Sequence, residues 1–334
     1  MSKKRISSLI IGLILGLVLI GLWLSFTELD QIILKIREVD KSLVLLAAVI
    51  YVMAYFIRSL RWNLILRKDI PIGVGRTWLY SMGGNFINYM IPIRLGELVK
   101  AWFIRRNHGL PVSASLPSIF IDKSFDTLGI FFVLLMLPFL AVQLSTGMTI
   151  LLVLLAMVFV LSLALLLMAA LNQKGVHSFF EKVLAILPRV FRAKAQSFMK
   201  IFVEGLNIFE HHWSVLAVSI LLTALGVFLD GFYFYSLFRA FGMSYPFAMV
   251  LFGYTLINLS YALPQPPAQL GSNEWMMIII FSIGFGLTKD SASAVMVFAH
   301  ILTALIMSIL GIISFSVSGY DVIKAVYKDD KTYE

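Results

Sequence analysis

The chain has 334 residues, 60% of them hydrophobic and only 13% charged, with a mean hydropathy of +0.92. Soluble domains run near half apolar and a quarter charged, so a single soluble enzyme domain is excluded and an all-α polytopic membrane protein is expected. The absence of cysteine excludes disulfides, thiolate metal sites and cysteine nucleophiles, and the +9 net charge fits Lys- and Arg-rich cytoplasmic loops facing anionic lipid better than it fits nucleic acid.

In chain order, Lys3, Lys4 and Arg5 precede an apolar run at residues 6–26. The run is longer than a signal-peptide core and no Ala-x-Ala-like site follows it, so it reads as an anchor, with an outer loop to residue 41. At about 1.5 Å per residue it matches a hydrocarbon core of about 30 Å. Similar runs at 42–57, 124–144, 147–171, 213–238 and 291–318 bring the expected full crossings to six. Two further apolar segments, 77–93 and 244–287, are interrupted by Gly, Pro and Asn. The first carries Gly83, Gly84, Asn85, Asn88 and Pro92; the second carries Asn258, Pro264, Pro266, Pro267, Gly271 and Asn273. A broken backbone at membrane depth persists only where it is buried in protein or lines a wet cavity.

Charge decides how the broken segments lie. With the amino terminus cytoplasmic, Arg58, Arg61, Arg67, Lys68 and Arg76 fall inside, and Arg94, Lys100, Arg105 and Arg106 stay inside only if 77–93 dips in and returns as a hairpin. The second broken segment then dips in from outside, and the carboxy terminus is also cytoplasmic. This places 22 of the 27 basic residues inside, leaving Lys35, Arg37, Lys41, Arg239 and Lys289 outside. The expected fold is therefore six full crossings plus two broken re-entrant hairpins in an inverted repeat: a first repeat and following crossing at 42–171, and a second repeat at 213–320. Between them, 172–212 reads as cytoplasmic interfacial helices, and 321–334 as a cytoplasmic tail. Secondary transporters are often built this way, with substrate bound at paired broken helices.

The stretches RSLRWNLIL, NFINYMIPIRLGELVKAWFIRR, IFIDKSFDTLGI and LPQPPAQLGSNEW resemble, in order and spacing, the motifs of the lysylphosphatidylglycerol synthase transmembrane region, or flippase-like, family. The most specific part is Pro92, Arg94, Gly96 and Glu97, matching a Pro-x-Arg-x-Gly-Glu core. In the later motif Pro264, Pro266, Gly271 and Glu274 fit, while Pro267 and Ala268 stand where glycines are usual; Asp122 and Lys123 stand where Glu-Arg is common, and Asp126 fits. The resemblance implies transport of a phosphate-bearing or aminoacylated lipid headgroup between the leaflets of a prokaryotic cytoplasmic membrane. Some members carry a soluble aminoacyl-transferase domain; here the longest polar stretch, 172–212, is too short for one. The expected partners are membrane lipids, anionic or phosphate-linked, with a separate lipid-modifying enzyme as a further candidate.

The residues also argue for a headgroup site on their own. An Arg at the bilayer centre costs about 2.5 to 3.5 kcal/mol on insertion scales, so it must be paired, snorkelling or functional. If the chain turns helical after Pro92, then Arg94, Glu97 and Lys100 share one face beside a helix N-terminus, which makes either a phosphate cradle or a structural salt bridge. Arg58 and Arg61 share a face, able to grip a phosphate or to anchor the inner surface. Asp126 and Asp230 are the acids most embedded in apolar sequence, candidates for a coupling ion or for neutralising an Arg. Asn85, Asn88, Gln269, Asn273 and Glu274 supply polar groups in the breaks, with helix capping the alternative for the last two. His300, the only histidine within a long apolar run, is expected to pack or to bond a backbone carbonyl. The two breaks are expected to meet in one wet cavity.

No P-loop, His-Glu-x-x-His or Gly-x-Ser-x-Gly motif occurs, and no cofactor is expected. Two function classes remain: a lipid transporter, and a membrane-embedded transferase acting on a lipid-linked substrate with Glu97 or Asp126 as base.

Overall fold

A computed structural model describes residues 3–67, 69–91, 95–134, 157, 212–261 and 265–318. The predicted crossing at 147–171, the interfacial helices at 172–212 and the tail lie outside the described residues, apart from His212 and the helical Met157. Every regular element among the described residues is helical. In order they are α1 (Lys3–Phe26), α2 (Leu29–Arg37), α3 (Lys41–Leu66), α4 (Val74–Met90), α5 (Gly96–His108), α6 (Val112–Leu134), α7 (Trp213–Ala240), α8 (Phe247–Ser260), a 3-10 turn (Pro267–Gln269), α9 (Ser272–Met277), a π-helical turn (Ile278–Gly284) and α10 (Lys289–Val317).

Among the described residues, α3, α7 and α10 are each long and apolar enough to cross a membrane. Their outward faces carry Leu45, Leu221 and Leu305, all more than half exposed, as a helix presents to lipid. The chain bends by 87° between residues 12–26 of α1 and α2. Where an outer loop is expected, the structure has the helix α2. Its nine residues form an amphipathic turn set: Ile32 is buried, Asp30 lies in the first turn, and Lys35 and Arg37 lie in the last, each charge complementing the helix dipole. Just before α3, the carboxylate of Asp40 accepts from the backbone N–H of Ser42 (2.8 Å) and Leu43 (3.3 Å), capping donors that the first turn leaves unsatisfied.

α3 continues nine residues beyond the predicted crossing, because neither Gly nor Pro interrupts residues 41–66, and this places Arg58 and Arg61 within a helix. α6 likewise starts well before residue 124 and holds Pro117 inside it. The second broken segment resolves into α8, the 3-10 turn, α9 and the π-helical turn. Its punctuation is explained by left-handed backbone at Ala268 (φ 51°), Gln269 (φ 58°) and Gly271 (φ 77°).

The chain separates into two compact units. The first gathers the described residues within Met1–Met53, Trp78–Phe103 and Leu229–Glu334; the second gathers those within Ala54–Thr77 and Ile104–Phe228. In the first unit Trp23, Ile32, Ile278 and Ala294 form a buried cluster, and Trp23 Nε1 donates to Ser293 Oγ at 3.0 Å. α2 is tied to α10 by Lys35 Nζ donating to Ser291 Oγ (2.9 Å). In the second unit the fully buried Trp62 donates to Ser118 Oγ (3.3 Å), and Asn63 Nδ2 holds the turn before α4 through Ile72 O and Thr77 Oγ1, both at 2.8 Å.

Candidate functional site

Within the first unit, α4 and α5 pack antiparallel at very short range. A Cβ built on Gly84 would meet Gly96 O and Lys100 Cγ, both at 2.7 Å, and one on Gly96 would collide with Gly84 O and the Asn88 side chain. Only glycine at both places allows this approach, and the pairing continues through Tyr80 stacked on Phe103 at 5.2 Å. The start of α5 is satisfied from across the break. Asn88 Oδ1 accepts from Gly96 N at 2.7 Å, while Asn88 Nδ2 donates to both Glu97 carboxylate oxygens at 3.2 Å. Lys100 is buried along Gly84, 3% exposed. Asn85 is half-buried on the same helix as Asn88. Arg94 and Pro92 lie outside the described residues.

The second break forms a polar cluster in the same unit. His300 on α10 spans it: Nδ1 lies 2.6 Å from Glu274 Oε1, and Nε2 lies 2.7 Å from Ala268 O. Asn273 Nδ2 donates to Gln269 Oε1 at 3.0 Å. Glu274 and Asn273 are both buried, yet among the described residues Glu274 Oε2 and Asn273 Oδ1 have no hydrogen-bond partner. A buried polar atom left unpaired costs about 1 to 3 kcal/mol, so this pair of acceptors calls for a donor. α1 closes one side: Trp275 Nε1 donates to Leu19 O (2.9 Å), and Gly271 leaves room for Leu19. On the other side the Tyr89 ring stands edge-on to His300, with centroids 6.2 Å apart. The end of α4 therefore touches the cluster of the second break.

The second unit holds a separate ionic cluster. Arg61, 1% exposed, makes four hydrogen bonds: Nε to Asp122 Oδ1 (2.8 Å), Nη1 to Thr223 Oγ1 (2.9 Å), and Nη2 to Asp122 O (2.9 Å) and Asp126 Oδ1 (2.6 Å). These join α3, α6 and α7 through one guanidinium. Its planar fork suits such multidentate bonding, which a lysine could not reproduce. At the rim, Arg58 Nε lies 3.6 Å and Lys123 Nζ 3.4 Å from the Asp126 carboxylate, with side chains 23% and 36% exposed. Gly226 leaves space beside the Arg58 guanidinium.

The structure thus gathers Asn88, Glu97 and Lys100 at the first break, Gln269, Asn273 and Glu274 at the second, and Arg58, Arg61 and Asp126 in the other unit. Asp230 is half-buried in α7. Neither Asn273 nor Glu274 caps α9, whose N-cap is Gly271. Sequence reasoning missed Asp122, Thr223 and Tyr89. Asp122 had a signal: it lies four residues before Asp126 on α6, one face of two acids matching Arg58 and Arg61 three apart on α3. Tyr89 lay within the NFINYMIPIRLGELVKAWFIRR stretch beside Asn88, and Thr223 had no signal beyond its place in an apolar run.

The family described as the lysylphosphatidylglycerol synthase TM region matches residues 9–311. A UPF0104 membrane protein of Methanothermobacter thermautotrophicus is 22% identical over 324 residues, 93% of this chain and 95% of that protein. Another, from Methanocaldococcus jannaschii, is 21% identical over 249 residues, 72% of this chain and 97% of that protein. Glycosyltransferase AglD of Haloferax volcanii is 28% identical over 127 residues, 37% of this chain, and the match takes in only 20% of AglD's own length. No solved structure matches the chain. With apolar helices exposed along their length and a match running from α1 to within α10, this chain is an integral membrane protein that belongs to the lysylphosphatidylglycerol synthase transmembrane region family.

Proposed function

We propose that this protein moves a phosphate-bearing or aminoacylated lipid headgroup between leaflets while the acyl tails remain in the bilayer. The observation that carries this reading is that one side chain touches both breaks: His300 of α10 binds Glu274 and Ala268 of the second break and meets Tyr89 of the first, beside buried acceptors that lack partners among the described residues. Interrupted helices with buried polar groups are poor lipid-facing anchors, and they are the usual construction of a binding site at membrane depth. In this reading Asn85, Asn88, Arg94, Glu97 and Lys100 serve the headgroup at the first break, and Gln269, Asn273 and Glu274 serve it at the second. Arg58 meets the phosphate of an anionic lipid at the other unit, where Asp126, itself held by the buried Arg61, positions it, and Asp230 belongs to the same headgroup machinery. The two breaks belong to inversely related repeats of re-entrant hairpins, which gives alternating access two related half-states. Both termini face the cytoplasm.

A second reading, a membrane-embedded transferase using a lipid-linked substrate, draws on the partial likeness to a protein named as a glycosyltransferase. Reconstituting the purified chain in liposomes with labelled anionic and aminoacylated lipids separates the two. Headgroup translocation with unchanged lipid chemistry is expected. A covalently altered lipid without translocation would establish the transferase instead.

A further inference from the structure

The bonds of His300 fix a proton count. Its Nε2 faces the Ala268 carbonyl at 2.7 Å, and a carbonyl only accepts, so Nε2 carries its hydrogen. Its Nδ1 faces Glu274 Oε1 at 2.6 Å. If the imidazole were neutral and the carboxylate ionised, two lone pairs would oppose each other at that distance, which is repulsive. A proton therefore lies between them, with imidazolium facing carboxylate or imidazole facing carboxylic acid. Either arrangement is neutral overall, so the pair is buried as a dipole rather than as a net charge. Losing that proton to solvent takes the pair from zero to minus one.

Among the described residues, little holds that negative charge. Glu274 Oε2 and the neighbouring Asn273 Oδ1 have no donor among them. The groups on the packed elements are few. α4 presents Tyr89, and the adjoining α5 carries Glu97, bonded to Asn88, and Lys100, lying along Gly84. α8 carries Tyr254, packed on Phe234 of α7, which also carries Asp230. α1 from Gly12 to Phe26 and the π-helical turn carry no charge. The other charged residues of α10 are Lys289 and Asp290 in its first turn, and those of α2 are Asp30, Lys35 and Arg37, with Lys35 bonded to Ser291. Among the described residues no cation pairs with Glu274 besides His300. The backbone that His300 grips is also held against its preference: Ala268 and Gln269 both adopt left-handed φ, a region that residues with a Cβ visit at a cost.

We propose that Glu274 and His300 form a proton-binding site, and that release of their shared proton frees the Ala268 carbonyl and lets the segment from Pro267 to Met277 rearrange. The proposal rests on reading the second break as part of the headgroup path, and it names a proton as the ion coupled there. The proton leaves the Nδ1–Oε1 line for solvent, the repelled carboxylate and imidazole part, and the left-handed backbone relaxes. Rebinding a proton restores the clamp.

The test uses the full chain in lipid vesicles and reads the proton site first, before translocation is assayed on the same vesicles. Infrared difference spectra between about pH 5 and pH 9, the range histidine spans, are expected to show one titration of a carboxyl–imidazole pair, lost in Glu274→Gln and in His300→Gln. The same titration in wild type and both variants overturns the proposal, and so does a wild type whose pair does not titrate. Should the variants fail to fold, hydrogen exchange in wild type decides. Amides at 268–277 are expected to exchange about tenfold faster at high pH than base catalysis alone accounts for, relative to amides at 292–299 on α10. Equal acceleration in the two segments overturns the site. If titration and exchange behave as expected but no lipid is translocated, the headgroup path fails and the proton site stands. If translocation proceeds with the same pH dependence in wild type and variants, the coupling falls.

Discussion

Arg61 and Arg58 are three residues apart on one helix, and their environments assign them opposite roles. Arg61 is buried with all four of its hydrogen bonds directed at α6 or α7, so truncating it strands Asp122, itself 4% exposed. Breaking a buried ion pair by removing one partner costs about 3 to 5 kcal/mol. Arg61→Ala is therefore expected to lower detergent-solubilised stability by that order, read as loss of the monodisperse elution peak on heating. Arg58→Ala, at the rim, should cost less than about 1 kcal/mol, as exposed ion pairs do. Equal losses would mean that the three-helix pin has been misassigned. Asp40 gives a pH-dependent case outside the spans. The Ser42 hydroxyl first, then the backbone N–H groups of Leu43 and Ser42, hold its carboxyl below the usual range. A depressed carboxyl contributes stability that is fully present above its unfolded value and is lost as pH falls through the lower folded value. Amide exchange at Ser42 and Leu43 should thus gain an extra acid-dependent rise below about pH 4, and Asp40→Asn should abolish that rise.

At the scale of elements, the α4–α5 pair depends on two glycines, each packed against the other's carbonyl oxygen. A methyl group at either position forces the helices apart, and overpacking of this kind costs about 1 to 3 kcal/mol. Gly84→Ala and Gly96→Ala should each destabilise by that amount, and they should also release the Asn88 cap, because the 2.7 Å bond to Gly96 N requires the close approach. The expected readout is faster hydrogen exchange across residues 80–103 with residues 289–317 unchanged. Wild-type exchange in both variants would show that the helices do not need this approach. The second break is built differently. It has no glycine pair, and its three left-handed residues are held by His300 and by α1 through Trp275 and Leu19.

For the whole molecule, the distribution of basic residues makes orientation testable in a chain that has no cysteine of its own. With Arg105→Cys and Lys289→Cys introduced singly, an impermeant maleimide applied to intact cells is expected to label position 289 and to leave position 105 untouched. External labelling of position 105 would mean that the first broken segment crosses fully, and the hairpin arrangement would be abandoned.

Sequence alone determined the class of molecule, because membrane residence is a matter of composition and run length, and both are local. It also located the breaks, since Pro92, Gly96, Pro264 and Gly271 act on the backbone through neighbours one to four residues away. Family membership was legible for a similar reason, in short motifs such as the one from Pro92 to Glu97. The α2 helix escaped because nine residues with one buried Ile carry little periodic signal; packing on α10 and the Lys35–Ser291 bond support it. What only the tertiary structure decided was which polar groups answer each other. Arg61 meets Asp122 across 61 positions and Thr223 across 162, and His300 reaches back 26 residues to Glu274 and 32 to Ala268. A buried charge announces from sequence that it must have a partner, since its solvation cost is intrinsic. Which partner it takes depends on how apolar helices pack, and apolar runs of similar length and composition do not encode that choice in any single segment.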